Sequence, residues 1–406
     1  MHYQKPWHLR SVCQGFCHCI DIYKVKAYNY FDNQNIYRVY PERYKMNRKS
    51  LHIGDKTALL PLVQGGMGVG VSLSGLAGAV AAQGGIGIIS TAQIGYREAD
   101  FEKDAKKANL RAMVNELKKA REIAADKDGR CNGLIGYNIM TATRDYGDYA
   151  RTAALAGADV IISGAGLPVD LPGYVEGTDT KIAPIVSSEK AARLILKMWD
   201  RRFHRTADFL VIENAHAGGH LGFSREQLNQ LYEDNYDDTY GIEVKKIIAC
   251  ARNYGEKYNI YIPVILAGGI MNAAQAEHAF SLGADGIQAA TVFVTTEECD
   301  ADPAFKQAYI QAQKKDIEIV TSPVGMPARA IRNPFLEKMK KGKEPVLKCY
   351  RCLEKCSPKD APYCITRALI RAVQGDIVHG LIFCGDNVPY LTKITTVPEV
   401  IRTLFP

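Results

Sequence analysis

The 406-residue sequence lacks any run of about 18 consecutive apolar residues, the length that a membrane-spanning helix needs. Its N-terminus also lacks the apolar segment of a signal peptide. Cysteine is too sparse for a disulfide scaffold, with 11 residues in the whole chain. We therefore expect a cytoplasmic protein that does not bind a membrane and whose thiols are mostly reduced.

A strong excess of one charge is missing from most of the chain. The formal net charge is +7, and the first 45 residues contribute +4 of it, with seven Lys or Arg against three Asp or Glu. The rest of the chain therefore carries only +3. Nucleic-acid binding needs a basic stripe on a folded face. Because no such stripe is visible, nucleic acid is not an expected partner.

The first 45 residues differ in composition from the rest of the chain. They contain seven tyrosines and three clustered cysteines, Cys13, Cys17 and Cys19, and they show neither helical nor strand periodicity. We interpret residues 1–45 as an atypical extension, accessory or spurious, and Met46 as the working start. A metal site on the three cysteines is the alternative.

From residue 59 onward, strand-like and helix-like segments alternate. Eight apolar segments predict buried strands: Leu59–Gln64, Ile86–Ser90, Leu134–Met140, Val160–Gly164, Ile182–Ser187, Phe209–Glu213, Ile262–Ala267 and Gly286–Val294. Helices are predicted at Ser72–Gln83, Arg97–Ala125, Asp148–Ala156, Glu189–Phe203, Ala273–Leu282 and Pro303–Lys314. Ser72 is the expected N-cap of the first helix. The stretch Leu167–Thr180 is expected to be a loop without a helix.

The alternation favours a (β/α)8 TIM barrel within the α/β class. Continuous apolar strands are typical of a parallel sheet that is covered on both faces. Eight β/α units over about 255 residues match the size of such a barrel. A Rossmann fold would need an acidic residue at the end of its second strand, and none follows the glycines at 66–70. We predict a barrel over residues 46–335 and a C-terminal, cysteine-containing extension over residues 336–406.

Glycine-rich loops follow several predicted strands at the end of the barrel where function is usually located. They are Gln64-Gly65-Gly66-Met67-Gly68, Gly164-Ala165-Gly166, Gly218-Gly219-His220 and Gly268-Gly269, and strand eight carries Gln288-Ala289-Ala290-Thr291. Together they indicate a large, flat ligand that lies against backbone, with a phosphate near strands seven and eight. FMN meets these requirements. The alternative is that the glycines serve only tight turns.

Two histidines follow the predicted strand Phe209–Glu213. His220 comes directly after two glycines and is the candidate for proton transfer or for holding an anionic substrate. The alternative is that the stretch is only a turn. His216 is assigned a supporting role, since no third ligand for a paired-histidine metal site is evident. His278 lies within a predicted helix and is expected at the surface.

The C-terminal extension contains Cys349, Cys352, Cys356 and Cys364 within sixteen residues. In a cytosolic chain this density favours a metal site over disulfides, and both zinc and an iron–sulfur cluster suit thiolate ligands. Unliganded or redox-active thiols are the open alternative. Four other cysteines are interpreted as solitary core residues: Cys131, Cys250, Cys299 and Cys384.

Several of these motifs, taken in order, resemble the nitronate monooxygenase family, formerly called 2-nitropropane dioxygenase. The resemblance covers about residues 51–335 and is carried by Gln64-Gly65-Gly66-Met67, Asn138-Ile139-Met140, Ala217-Gly218-Gly219-His220-Leu221-Gly222, Ala267-Gly268-Gly269-Ile270 and Gly283-Ala284-Asp285-Gly286-Ile287-Gln288. The family includes the flavin-dependent enoyl-acyl-carrier-protein reductase II. Residues 321–330 resemble a segment that, in the nitronate monooxygenase family, folds back near the active site.

The resemblance implies an FMN-containing TIM barrel and assigns residues by position. Gln64, Gly65, Gly66 and Met67 would line the flavin, Asn138 would hydrogen-bond to it, Glu213 falls where the family has Gln or Glu, and Gly218 would pack on the cofactor. Gly268, Gly269, Gln288, Ala289, Ala290 and Thr291 would hold the phosphate, and His220 matches the family's active-site histidine. Asn214 and His216 replace the usual Gly and Glu, and Ala290 replaces a usual Gly.

The activity that we predict is oxidation of small alkyl nitronates with O2. The alternative is reduction of an enoyl-acyl-carrier-protein thioester. Of the two reactions, only this reduction would require NAD(P)H. A third reading is a flavin-binding module of a larger synthase. The motifs are specific for fold and FMN but not for substrate, and they do not reveal the oligomeric state.

Overall fold

The structure is a computed structural model that describes residues 49–230 and 236–406. The predicted extension over residues 1–45, with Cys13, Cys17 and Cys19, lies outside the described residues. The chain divides into two units, Met1–Lys45 and Met46–Pro406. The second unit includes both the predicted barrel and the predicted C-terminal extension.

Eight parallel strands form a closed barrel, which confirms the predicted (β/α)8 fold. In chain order the strands are β1 (Leu51–Ile53), β2 (Lys56–Ala58), β3 (Leu62–Gln64), β4 (Ile86–Ser90), β5 (Leu134–Met140), β6 (Val160–Gly164), β7 (Lys181–Val186), β8 (Leu210–Glu213), β9 (Gly219–His220), β10 (Val264–Ala267), β11 (Gly286–Ala289), β12 (Ile317–Thr321) and β13 (Pro327–Ile331). The ring runs β3 to β8, then β10 and β11, and it closes where β11 pairs with β3.

Branched side chains fill the barrel interior, among them Val63, Ile88 and Val211. The antiparallel hairpin of β1 and β2 covers the end where the strands begin, because Leu51 and Ile53 belong to the same buried cluster. The opposite end, where the strands finish, is left for the loops.

Helices surround the barrel and continue beyond it. They are α1 (Ser74–Ala82), α2 (Ala105–Ala124), α3 (Tyr146–Leu155), α4 (Leu171–Tyr174), α5 (Glu189–Phe203), α6 (Arg225–Asn229), α7 (Tyr236–Tyr258), α8 (Ala273–Ser281), α9 (Thr291–Val294), α10 (Pro303–Gln311), α11 (Pro334–Lys341), α12 (Ile365–Val373) and α13 (Val397–Leu404). In the described part of the chain, no helix is long and apolar enough to cross a membrane.

The predicted cap of the first helix is wrong. Helix α1 begins at Ser74, and its N-cap residue, Leu73, supplies no side-chain hydrogen bond. The carboxylate of Asp300 caps the helix instead, accepting from the backbone N–H groups of Leu73, Gly75 and Leu76 at 2.7–3.1 Å. A cap 227 residues away in sequence has no local signal. Ser72 Oγ accepts from the backbone N–H of Met67 at 2.8 Å, which folds the loop after β3.

Several elements differ from the sequence-based prediction. The stretch 167–180, expected to lack a helix, contains the short α4. The helix of the sixth unit is α7, whose sequence had not been recognised as helical. The predicted eighth strand ends at Ala289, where the chain turns into α9. The structure also contains an antiparallel sheet that the sequence did not predict. Its strands are in the order β12-β13-β9, it is separate from the barrel sheet, and His220 lies on its edge strand β9.

Three of the four cysteines predicted to be solitary core residues are buried: Cys250, Cys299 and Cys384. The prediction is wrong for Cys131, which is exposed. Cys131 lies in the loop between α2 and β5, where its thiol donates to the carbonyl of Gly133 at 3.3 Å. The apolar character of cysteine was therefore not sufficient to predict that this residue is buried.

The C-terminal extension returns to the barrel rather than standing apart from it. Helix α13 packs against α1, α8 and α9. Thr143, in the loop after β5, forms a β-bridge with Leu353, and Ala330 of β13 forms one with Phe383. The extension is thus attached on two sides of the end where the barrel strands finish.

Candidate active site

A cavity of about 610 Å³ opens at the end of the barrel where the strands finish. Loops that follow the barrel strands form one side of it, and the C-terminal extension forms the other. This is the face on which barrel enzymes carry their chemistry, and the volume is typical of a site for a cofactor with a small substrate. The site is therefore built by two parts of the chain that are far apart in sequence.

Almost all the residues predicted to bind the cofactor or to act in catalysis line this cavity. They are Gly65, Gly66, Met67, Asn138, Glu213, Gly218, His220, Gly268, Gly269, Gln288, Ala289, Ala290 and Thr291. Gln64 is the exception, because it is fully buried within the barrel. Its amide nitrogen donates to the carbonyl of Gly65 at 2.5 Å, and its Oε1 accepts from the N–H of Ile88 at 3.1 Å. Gln64 therefore links two strands and does not face the cavity.

The glycines after β3 allow close packing beneath the cavity. A Cβ on Gly66 would meet the side chain of Asn138 and would lie 2.9 Å from Ile88. On Gly65 it would lie 3.2 Å from the methyl group of Ala290. Any larger residue would push neighbouring side chains into the space that the loop leaves for a ligand. These two glycines keep one wall of the cavity flat.

The glycines after β10 are required by backbone conformation as well as by space. Gly268 has φ +105° and Gly269 has φ +73°, values that L-residues rarely adopt. A Cβ on Gly268 would also collide with the side-chain oxygen of Asn214. The same oxygen accepts from the backbone N–H of His216 at 2.9 Å. Asn214, which departs from the family pattern, therefore braces the loop after β8 and packs directly against Gly268.

His220 lies on β9 and is held by a hydrogen bond through one ring nitrogen. Its Nε2 lies 2.7 Å from Ser322 Oγ, which also accepts from the backbone N–H of Val324 at 3.3 Å. A serine hydroxyl has one donor and two acceptor sites, so it can either donate to Nε2 or accept from it, and the tautomer of the ring follows from that choice. Burial lowers the pKa of His220 to about 4. The imidazole is therefore neutral at pH 7, and Ser322 fixes its orientation through Nε2.

Glu213 ends strand β8 and also faces the cavity. Burial raises its pKa to about 7, although the N–H of Gly222 and the charge of Arg329 act in the opposite direction. The carboxyl is only partly exposed, and its exposed edge opens into the cavity rather than to bulk solvent. Near neutral pH it can therefore hold or release a proton with little cost.

His216 and Asp386 line another part of the cavity wall, and the buried Arg329 lies behind them in a chain of polar contacts. His216 Nδ1 lies 2.8 Å from Asp386 Oδ2, and Asp386 Oδ1 lies 3.7 Å from Arg329 Nε. The guanidinium of Arg329 is buried and donates to the carbonyls of Ala215, at 2.8 Å, and Ala217. This arrangement fixes the loop that carries both histidines to β13 and to the C-terminal extension.

Sequence reasoning missed the partners that orient the two histidines. Ser322 was included only within a segment expected to fold back near the site, and the pairing of β13 with β9 confirms that expectation. Asp386 and Arg329 were not considered. The available signal was a lone Arg between apolar residues at 328–331, since a charge in such a strand must find a buried partner. The surface position predicted for His278 is confirmed.

No Lys or Arg of residues 49–230 and 236–406 lines the cavity. The acidic and imidazole side chains on its wall are Glu213, His216, His220 and Asp386. A ligand with negative charge would therefore be met by backbone N–H groups and imidazole rings rather than by long basic side chains.

The predicted metal site concerns Cys349, Cys352, Cys356 and Cys364. Cys349 is exposed and the other three are partly exposed, and burial raises the pKa of Cys352 to about 11. Over the described ranges, no group of three or more His, Cys, Asp or Glu side chains is arranged to hold a metal ion. A metal on these four cysteines therefore stays a prediction that direct analysis must test.

Residues 50–406 match the family described as nitronate monooxygenase. A protein of Staphylococcus saprophyticus named probable nitronate monooxygenase is 29% identical over 163 residues, which is 40% of this chain and 39% of that protein. A protein of the same name from Staphylococcus haemolyticus is 32% identical over 137 residues, or 34% of this chain and 35% of that protein. The chain thus spans about two fifths of the length of the curated relatives that it matches.

Solved structures resemble the chain over a greater length. FabK from Thermotoga maritima is 25% identical, with a TM-score of 0.62, over 85% of this chain and 91% of that one. A nitroalkane oxidase from Streptomyces ansochromogenes has a TM-score of 0.59 over 86% of this chain and 95% of its own. At 21% identity the second likeness concerns the fold alone.

Proposed function

The chain belongs to the nitronate monooxygenase family, and from this premise we propose that it is an FMN-dependent oxidoreductase that oxidises small alkyl nitronates with O2. The observation that carries the proposal is His220, a neutral imidazole that Ser322 holds in one orientation on the wall of a glycine-lined cavity.

FMN fits the residues that are present. Gly65, Gly66 and Met67 form a flat wall suited to its ring system, and Asn138 offers an amide beside it. Gly268, Gly269 and the turn Gln288–Thr291 suit the phosphate, because backbone N–H groups can approach it there without side chains in the way. FMN, when bound, supplies the redox chemistry by taking electrons from the substrate and passing them to O2.

His220 is suited to holding an anion rather than to removing a proton from carbon. Because burial lowers its pKa to about 4, it is a weak base at neutral pH. Its Nε2 is engaged by Ser322, and where the hydroxyl donates to Nε2, the ring proton lies on Nδ1 and can be donated to an oxygen of a planar nitronate. A nitronate arrives without the proton that a neutral nitroalkane would still have to lose. This favours the nitronate as the substrate form.

The second candidate is reduction of an enoyl thioester by NAD(P)H, an activity found within the same family. Both NAD(P)H and an acyl-carrier thioester bring additional phosphate groups to the site. Because no Lys or Arg among the described residues lines the cavity, such phosphates would lack the partners that usually bind them. The cavity lining therefore favours the small nitronate.

An anaerobic titration distinguishes the two reactions. We expect purified, FMN-loaded protein to lose its yellow colour when an alkyl nitronate is added and to keep it when NADH or NADPH is added. Bleaching by a nicotinamide and not by any nitronate would establish the second candidate instead. A colourless protein that FMN cannot reconstitute would overturn both.

The role of His220 is tested with His220→Ala and with His278→Ala as the matched surface control. We expect His220→Ala to retain FMN and to lose about 10²-fold in kcat/KM, the usual effect of removing one donor to a substrate oxygen. The loss should be the same for the preformed nitronate and for the neutral nitroalkane. A much larger loss of kcat/KM with the nitroalkane would identify His220 as the base. No loss of kcat/KM with either substrate would show that His220 has no role in the reaction and that its loop is only a turn.

A further inference from the structure

Two parts of the cavity wall differ in chemical character. One part is lined by glycine backbone and by Glu213, His216 and Asp386. The other part is apolar and consists of residues of one hydrophobic cluster: Met140, Leu353, Ile365, Leu369, Leu381 and Phe383. Five of these six residues belong to the C-terminal extension. We call this apolar part the extension chamber.

The chamber walls are fixed by backbone pairing on both sides. On one side the backbone N–H of Arg144 donates to the carbonyl of Cys352 at 3.2 Å, and that of Glu354 donates to Ala142 at 3.0 Å. On the other side the N–H of Ile331 donates to Ile382 at 2.9 Å. Leu353 and Phe383 are therefore anchored directly to the barrel loops and to β13.

The chamber begins beside the histidine that we propose to hold the substrate. The rings of His220 and Phe383 meet edge to face, with centroids 5.1 Å apart and an interplanar angle of 65°. Polar groups near the chamber wall are turned toward one another, because Thr366 hydrogen-bonds with the thiol of Cys352. A substrate whose charged end contacts His220 would therefore extend its remaining atoms across an apolar surface.

We infer that the extension chamber binds the hydrocarbon tail of the substrate, so that the protein selects nitronates with alkyl chains of several carbons over the shortest ones. The inference rests on the proposed function, since it takes the charged end of the substrate to lie at His220. Each methylene transferred from water to an apolar wall contributes about 0.8 kcal/mol, which corresponds to about fourfold in affinity. The C-terminal extension is thus the element that determines chain-length specificity.

The first experiment measures kcat/KM for primary nitronates from ethyl to octyl. We expect a rise of about fourfold per added methylene, through a lower KM at nearly constant kcat, until the chamber is filled. A flat series in an active enzyme would overturn the inference and leave the proposed function standing. The absence of turnover with every nitronate would instead contradict the proposed function.

A binding experiment tests whether the chamber holds an alkyl chain without requiring turnover. Straight-chain carboxylates are planar anions that cannot react as nitronates do, and their binding is followed through the absorption spectrum of the bound FMN. We expect their dissociation constants to fall about fourfold per methylene. Equal affinity for acetate and octanoate would refute the chamber even if the nitronate assays had failed for another reason.

Two substitutions at Leu369 change the chamber in opposite directions. Leu369 lies on α12 and is only partly buried, and a thermal melt of each variant checks that it folds. Leu369→Trp should lower kcat/KM at least tenfold more for octyl nitronate than for ethyl nitronate, whereas Leu369→Ala should extend the rise to longer chains. The matched control is Leu347→Phe, since Leu347 is 85% exposed and lies outside the cavity. Equal effects on short and long chains would place Leu369 outside the tail's path.

Discussion

Glu213 and His220 give the folded protein opposite dependences on pH. Burial raises the pKa of Glu213 from its ordinary value of 4.5 to about 7, so between these values the folded protein keeps a proton that the unfolded chain releases. The free energy of unfolding therefore falls as the pH rises through this window. Burial lowers the pKa of His220 from 6.5 to about 4. There the unfolded chain binds a proton that the folded protein excludes, so the free energy of unfolding rises with pH.

The two effects nearly cancel in the wild-type protein between pH 4.5 and 6.5, where the two windows overlap. Each displaced pKa is worth up to ~3 kcal/mol, at ~1.4 kcal/mol per pKa unit. Both side chains are partly exposed on the cavity wall, and solvent screening reduces this to ~1–3 kcal/mol. Replacing one residue removes one of the two opposing slopes and exposes the other.

The test compares the stability of two variants with that of the wild type: Glu213→Gln, and His220→Gln, for which the opposite dependence on pH is expected. Relative to wild type, Glu213→Gln should become less stable by ~1–3 kcal/mol as the pH falls from 7 to 4.5, because only the histidine slope remains. His220→Gln should show the reverse, losing stability relative to wild type as the pH rises over the same range. Urea titrations at four pH values, with m held constant, measure both. A difference from wild type that does not change with pH would refute the reasoning.

Three further predictions concern the elements around the cavity. His216→Gln should weaken FMN binding severalfold but leave riboflavin binding unchanged, because His216 packs beside Gly269 in the loop proposed for the phosphate; equal weakening of both ligands in a fluorescence titration would contradict this. Arg329→Met should lower the free energy of unfolding by ~3–5 kcal/mol, since it leaves Asp386 without its buried cation, whereas the exposed Arg332→Met should cost less than ~1 kcal/mol. If Cys352 and its neighbours bind metal, elemental analysis should find near-stoichiometric zinc or iron that Cys352→Ser removes; full activity without metal in the unmodified protein would exclude the site.

The barrel could be predicted from the sequence because its information is local. Each strand is an apolar run of a few residues, and each functional loop carries its glycines immediately after such a run. The predicted positions of Gly268 and Gly269 at the cavity follow from that regularity. The same reasoning is wrong for Gln64, which was predicted to face the cavity. A side chain at the very end of a strand can instead turn into the barrel interior. Its amide is used to join β3 to β4.

What the sequence did not reveal is the contribution of distant segments. Asp300 caps α1 across 227 residues, and Asp386 holds His216 across 170. No periodicity or motif records which surface a remote segment will contact. The apolar residues at 353, 365 and 381 were equally compatible with an ordinary core of the C-terminal extension. Only the structure shows that they face a cavity beside His220.

The attachment of the C-terminal extension has a consequence for how the protein is made. All eight barrel strands leave the ribosome before Phe383, Asp386 and α13 do, so a nascent chain can assemble the barrel while its mouth is still open. The mouth is closed by contacts between residues that are far apart in sequence, such as His216 with Asp386 and Thr143 with Leu353, and such contacts form late in folding. A cofactor that enters before this step would stabilise the docked extension by mass action. Protection of residues 381–404 from proteolysis would then report cofactor loading during synthesis.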